Sequence, residues 1–216
     1  MHDAVILAGI LGALLIGAVS PGPSFVMVTR IAVSSSRRNG LAAALGMGAG
    51  GALFASLAIL GLATLLSQVG WLYLVFKIAG GAYLVYLGIR IWRHASEPLV
   101  IEADSLNGTD APQKPASAST SFALAILTQI SNPKTAMVYA SIFASLLPAE
   151  PPLWMLLALP PLIFMIEAGW YATVALLFSG HRVRRAYLGG KTWVDRFASL
   201  ILGALGVRLM IDGLRP

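Results

Sequence analysis

Two ionisable side chains sit where such groups are costly. Lys134 and Glu167 each lie near the middle of a long apolar run. A charge at that depth costs at least about 2.5 kcal/mol on insertion scales, so it marks a functional candidate by default. A lysine there attracts a carboxylate, and a glutamate binds an ammonium or carries a proton. The same runs contain two helix-breaking stretches. One is Ser20, Pro21, Gly22, Pro23 and Ser24; the other is Asn132 and Pro133, leading into Lys134. Each feature alone has a plain structural explanation: a proline kink that shapes packing, or a Lys134–Glu167 ion pair that ties two helices. Two matched breaks, one carrying a lysine, point instead to a polar site in mid-membrane.

Proline removes a backbone donor and clashes with the carbonyl four residues back, costing about 3 kcal/mol inside a helix. In hydrocarbon the freed backbone groups need partners within the protein or a wet cavity. Both stretches also read as helix starts. Ser20 before Pro21, and Asn132 before Pro133, each set an N-cap residue ahead of proline at the first helical position, with Gly22 free to turn. A restarted helix presents unpaired N–H groups and about half a positive charge, which suits a carboxylate. Tyr171 lies one turn beyond Glu167 on the same face. It and Trp170 are candidate pocket walls, with ordinary packing as the alternative.

The elements that must position these groups are membrane helices. Of 216 residues, 57% are hydrophobic and 11% charged, against about 25% charged in soluble domains. Residues 4–29 and 41–66 contain no Asp, Glu, Lys or Arg, and each run exceeds the ~20 residues that cross a bilayer. Six spans are expected, at roughly 4–33, 41–66, 71–93, 119–147, 153–179 and 197–214. The first run is too long for a signal-peptide core and is expected to be retained. Residues 94–118 lack apolar periodicity and read as a flexible linker. The chain thus divides into a first three-helix repeat (1–93), the linker, and a second three-helix repeat (119–216).

Eleven of the fifteen Lys and Arg fall in the first, third and fifth loops or their approaches. The positive-inside rule places those loops and the linker in the cytoplasm and both termini outside. The net charge of +6 is explained this way, not by nucleic acid. Aligning Ser20 with Ser131 sets the two breaks against each other. Three spans per half make any duplication an inverted repeat, whose interrupted helices mark a transporter's binding site. The first span runs inward and the fourth outward, so their restarted ends should meet near the midplane. Lys77 is placed to snorkel to the outer interface, Arg208 and Asp212 to pair at the end of the last span. The three histidines carry no assigned chemistry. Gly46, Gly48, Gly50 and Gly51 allow close helix approach, and a homodimer is one use of such a face.

Four stretches carry a resemblance: "SPGPSFVMVTRIAVSSSRRNG" at 20–40, "KIAGGAYLVYLGIRIWR" at 77–93, "SNPKTAMVYASIFASLLP" at 131–148, and 166–211 beginning "IEAGWYATVALLFSG". With them the chain resembles the LysE/RhtB family of bacterial amino-acid exporters, and within it the threonine and homoserine exporters. The resemblance implies proton-driven export of an amino acid across the bacterial inner membrane. It carries family motifs onto Pro21, Gly22 and Pro23, onto Asn132, Pro133 and Lys134, and onto Glu167 with Trp170 and Tyr171. One departure is Ser24, where many members have an acid or another strongly polar residue.

The expected site therefore sets the substrate carboxylate against Ser20–Ser24 and Asn132–Lys134, with Tyr171 alongside. Glu167 or backbone carbonyls face the ammonium, and Glu167 carries the proton. The expected partners are a small neutral or polar amino acid, protons and lipid, with no cofactor and no nucleic acid. A cation exporter is one rival, but one intramembrane acid with no cysteine makes a poor metal site. An intramembrane enzyme is another, without HExxH or a Ser–His pairing to support it. A non-transporting accessory subunit is the third.

Overall fold

A computed structural model describes residues 2–66, 70–97, 117–148, 150–178 and 181–214. Eight helices account for nearly all of them: α1 (His2–Val19), α2 (Pro23–Ser34), α3 (Arg37–Leu66), α4 (Gly70–His94), α5 (Ala118–Ser131), α6 (Pro133–Leu146), α7 (Leu153–Phe178) and α8 (His181–Leu214). No strand occurs among the described residues. Most of the linker falls outside the described residues, as do the side chains of Lys77 and Asp212.

Arg37–Gly61 within α3, and the whole of α7, are each long and apolar enough to cross a bilayer. α1 and α2 together qualify as a third span, bent by 59° at the Pro-Gly-Pro stretch. Both expected breaks are thus present, since α5 also stops at Ser131 and α6 starts at Pro133. The last helix differs from expectation. Helix α8 begins at His181, not near 197, so the basic stretch read as a loop is helical. That stretch adds buried Lys191 and Asp195 to the interior.

The outside of the helix bundle is apolar and the inside holds the polar groups. Leu157, Met165, Phe197 and Leu60 are each more than 60% exposed, whereas Glu167, Gln129 and Asp195 are buried. Hydrocarbon demands this inversion, because a polar group facing lipid has no partner.

Two apolar clusters flank the polar interior. The first joins Ile10 and Leu14 of α1, Ala55 of α3, Ile142 of α6, Leu159 and Ile163 of α7, and Leu202 of α8. The second joins Phe25 and Val28 of α2, Ala43 and Met47 of α3, Ala125 of α5, and Val174 and Phe178 of α7. Between them along the chain fall Ser20–Ser24, Gly50–Gly51, Gln129–Lys134 and Glu167.

The glycines of α3 let this layer close. A Cβ on Gly50 would lie 2.7 Å from the Gln129 side chain, and one on Gly51 2.7 Å from both Glu167 Oε2 and the Tyr139 hydroxyl. A Cβ on Gly48 would meet Ala168 and the Phe164 carbonyl at 2.8 Å. These glycines pack against α5, α6 and α7 of the same chain.

Candidate functional site

The two breaks are built differently. At the second, Asn132 ends α5 and starts α6 at once. Its N–H donates to the Gln129 carbonyl, and its Oδ1 accepts from the Lys134 N–H at 3.0 Å. Pro133 then occupies the first helical turn, where its missing N–H would have no helical acceptor anyway. This is the N-cap expected from the sequence. The first break corrects the expectation. Ser20 follows the last residue of α1, its N–H still bonded back to the Ile16 carbonyl at 3.2 Å. The N-cap of α2 is Gly22, with Pro23 behind it and no side-chain cap. Gly22 is extended, not left-handed, with φ −155°, so the turn does not require glycine's conformational freedom.

Side chains from the second half satisfy the first break. Lys134 Nζ donates to the Ser20 carbonyl at 2.9 Å. Asn132 Nδ2 donates to Ser24 Oγ at 3.0 Å, and Ser24 Oγ donates to Gln129 Oε1 at 2.7 Å. The restarted ends of α2 and α6 therefore meet, through Asn132 and Ser24. Ser24 is the hinge of that contact.

The chain of hydrogen bonds continues to Glu167. Gln129 Nε2 donates to Glu167 Oε2 at 2.6 Å, and the Tyr139 hydroxyl donates to Oε1 at 2.7 Å. Both carboxylate oxygens thus have donors. Lys134 and Glu167 form no ion pair, because each is held by other groups. Tyr171 is buried and lines the same small cavity as Glu167. Trp170 is half-buried, packed against the second cluster.

A second chain leaves Ser20 in the other direction. Ser20 Oγ donates to Asp195 Oδ1 at 3.2 Å, and Lys191 Nζ pairs with Asp195 Oδ2 at 2.8 Å. Lys191 also reaches the carbonyls of Ala95 (3.2 Å) and His94 (3.4 Å) at the end of α4. Gln129, Tyr139, Lys191 and Asp195 are the site residues that sequence reasoning missed. Only Lys191 and Asp195 left a usable signal, an i, i+4 pair of opposite charge.

Two cavities share the break as a wall. A vestibule of about 400 Å³ is lined by residues including Arg90, His94, Lys191, Asp195 and Lys134. An inner cavity of about 30 Å³ holds Glu167, Gln129, Tyr139 and Tyr171. Ser20, Gly22, Asn132 and Lys134 border both. The inner space has room for roughly two waters at about 10–15 Å³ each.

A buried polar layer at two facing helix breaks, reached through a charged vestibule and sheathed in apolar helices, is the layout of a membrane translocator. The chain belongs to the LysE family: residues 15–213 match the profile described as LysE type translocator. It is 30% identical to the threonine efflux protein of Escherichia coli strain K12 over 199 residues, covering 92% of this chain and 94% of that one. The threonine efflux protein of Salmonella typhimurium is also 30% identical, over 201 residues, with 92% and 94% covered. An uncharacterised Escherichia coli membrane protein, YahN, is 31% identical over 204 residues, with 94% and 87% covered. No solved structure matches the chain.

Proposed function

We propose that the protein exports a small neutral or polar amino acid, threonine- or homoserine-like, in exchange for protons. The observation that carries this reading is the continuous hydrogen-bond chain from buried Glu167 through Gln129 and Ser24 to Asn132. It links a proton-carrying group to the two helix starts where a carboxylate would bind. The relatives named for threonine efflux supply the substrate class.

Every donor in that chain points toward Glu167. As a carboxylate, Glu167 accepts from both Gln129 and Tyr139. A protonated carboxyl becomes a donor itself and gives up part of that acceptor capacity. The group facing the new O–H must then offer it a lone pair: the Tyr139 hydroxyl by rotating its hydrogen, or Gln129 by rotating its amide. Rotation of the Gln129 amide would in turn present Ser24 with a donor where it now meets an acceptor. Ser24 and Asn132 would readjust, and the break would open or close with the proton.

The substrate carboxylate would sit against the N-termini of α2 and α6 and Lys134, within reach of Ser20–Ser24 and Asn132–Pro133. Tyr171 would border the deeper end of the path. The reading takes six spans in two inverted repeats: α1–α2, α3 and α4, then α5–α6, α7 and α8. Its support is that α3 packs on α7 and α4 on α8, each helix against its counterpart in the other half. The vestibule would open to the cytoplasm, the side of the basic loops, in a bacterial inner membrane with both termini outside. Alternating access would rock one half against the other around the break.

The test is uptake into everted membrane vesicles under an imposed pH gradient, with threonine, homoserine, leucine, lysine and arginine. Gradient-dependent accumulation of one or more neutral members is the expected result. Uptake of none, by protein shown to be folded and inserted, would sink the reading.

A further inference from the structure

Within the amino-acid export reading, we infer that Asp195 is the carboxylate that receives the substrate's ammonium, opposite Lys134 on the vestibule floor. A zwitterionic α-amino acid carries opposite charges on one carbon and needs one partner of each sign. The sequence suggests Glu167 for the ammonium, but Glu167 does not line the vestibule and lies in the inner cavity, with donors on both oxygens. Asp195 and Lys134 both line the vestibule, and a single residue bridges them: Ser20 accepts from Lys134 Nζ at its carbonyl and donates to Asp195 from its hydroxyl.

The partners of Asp195 are replaceable. Its bond from Ser20 is long, 3.2 Å, and its other oxygen is held by Lys191 at 2.8 Å. Lys191 has two further acceptors in the carbonyls of Ala95 and His94. Those two bonds remain when Asp195 turns to an incoming ammonium, so Lys191 keeps acceptors for its N–H donors while it shares the carboxylate with the substrate. The competing explanation is a structural ion pair that ties α8 to the end of α4. The two differ in what each partner does alone. A structural pair fails equally when either member is lost, whereas an ammonium site needs Asp195 and tolerates the loss of its counterion.

The experiment measures KM for threonine and homoserine in everted vesicles, with 3-hydroxybutyrate and 4-hydroxybutyrate as competitors that lack the ammonium. Wild type is compared with Asp195→Asn, Asp195→Glu and Lys191→Gln, each checked for melting temperature in detergent. Asp195→Asn is expected to raise KM roughly tenfold or more, the effect of one lost charge-assisted hydrogen bond. It should also erase the preference for the amino acid over its des-amino analogue. Asp195→Glu should recover part of both, and Lys191→Gln, which removes the cation that competes for Asp195, should lower KM. If Asp195→Asn does not fold, the Lys191→Gln/Asp195→Asn double variant, which removes the Lys191 charge together with that of its partner, takes its place with the same expectation. Unchanged KM and preference without Asp195, or an equal KM rise in Lys191→Gln, would overturn the assignment. Failure of the export reading looks different: wild type itself would accumulate none of the amino acids, and the assignment would fall with it.

Discussion

The first and second helix breaks contain similar residues but solve the same physical problem differently. The second is self-sufficient, because one residue, Asn132, closes α5 and caps α6. The first has no side-chain cap, and its exposed groups are met by Lys134, Asn132 and Gln129 from the other half. The second half therefore holds the first half's break in shape. A third proline site completes the comparison. Pro160 and Pro161 sit inside α7 without ending it. Proline alone does not interrupt a helix here; the interruption needs a cap or a set of partners from elsewhere.

This asymmetry can be broken in a graded way. The largest effect is expected from Lys134→Met, which leaves the Ser20 carbonyl without its lysine donor and the vestibule without its floor cation. Amino-acid accumulation should fall at least a hundredfold, and stability by about 1–3 kcal/mol, the usual penalty for stranding a buried polar group. Transport assays and denaturation in detergent check the two parts separately. Gln129→Met comes next. It keeps the volume but cuts the link between Glu167 and Ser24. Gradient-driven accumulation should drop about tenfold or more while exchange of labelled for unlabelled substrate continues, with a similar 1–3 kcal/mol loss. If both activities fall in parallel, Gln129 is only a packing residue.

A glycine pair sharpens the contrast between the inner layer and the first break. Gly51→Ala pushes a methyl into Glu167 and Tyr139, and overpacking of this kind costs about 1–3 kcal/mol. Gly22→Ala meets nothing nearer than the flexible Lys134 side chain, at 3.4 Å, and should stay within about 0.5 kcal/mol. Melting temperatures of the two variants should differ in that order. Asn132→Ala removes a cap and the bond to Ser24, for about 1 kcal/mol. Its effect should exceed that of Gly22→Ala, since the cap is at the second break and its amide serves the first.

The breaks were legible in the sequence because proline's effect is covalent and local. The membrane class was legible because charge is absent from whole runs of residues. Asn132 as an N-cap was legible for the same local reason. Gly22 in place of Ser20 at the first N-cap was not, since which residue ends a helix there depends on partners over a hundred positions away. Gln129 gave no warning: a neutral amide in "AILTQIS" looks like any polar residue near a helix end. The start of α8 was misplaced because hydropathy alone drew the span. The i, i+4 spacing of Lys191 and Asp195, which a helix would bring together, lay in the segment read as loop.

The central claim is that the proton state of Glu167 is coupled to the helix breaks. Its most direct test compares two assays on Glu167→Gln in reconstituted vesicles: accumulation driven by a pH gradient, and exchange of labelled for unlabelled amino acid with no gradient. The account predicts that the variant retains exchange and loses gradient-driven accumulation. Accumulation at the wild-type level in Glu167→Gln would contradict it and move the proton to another group.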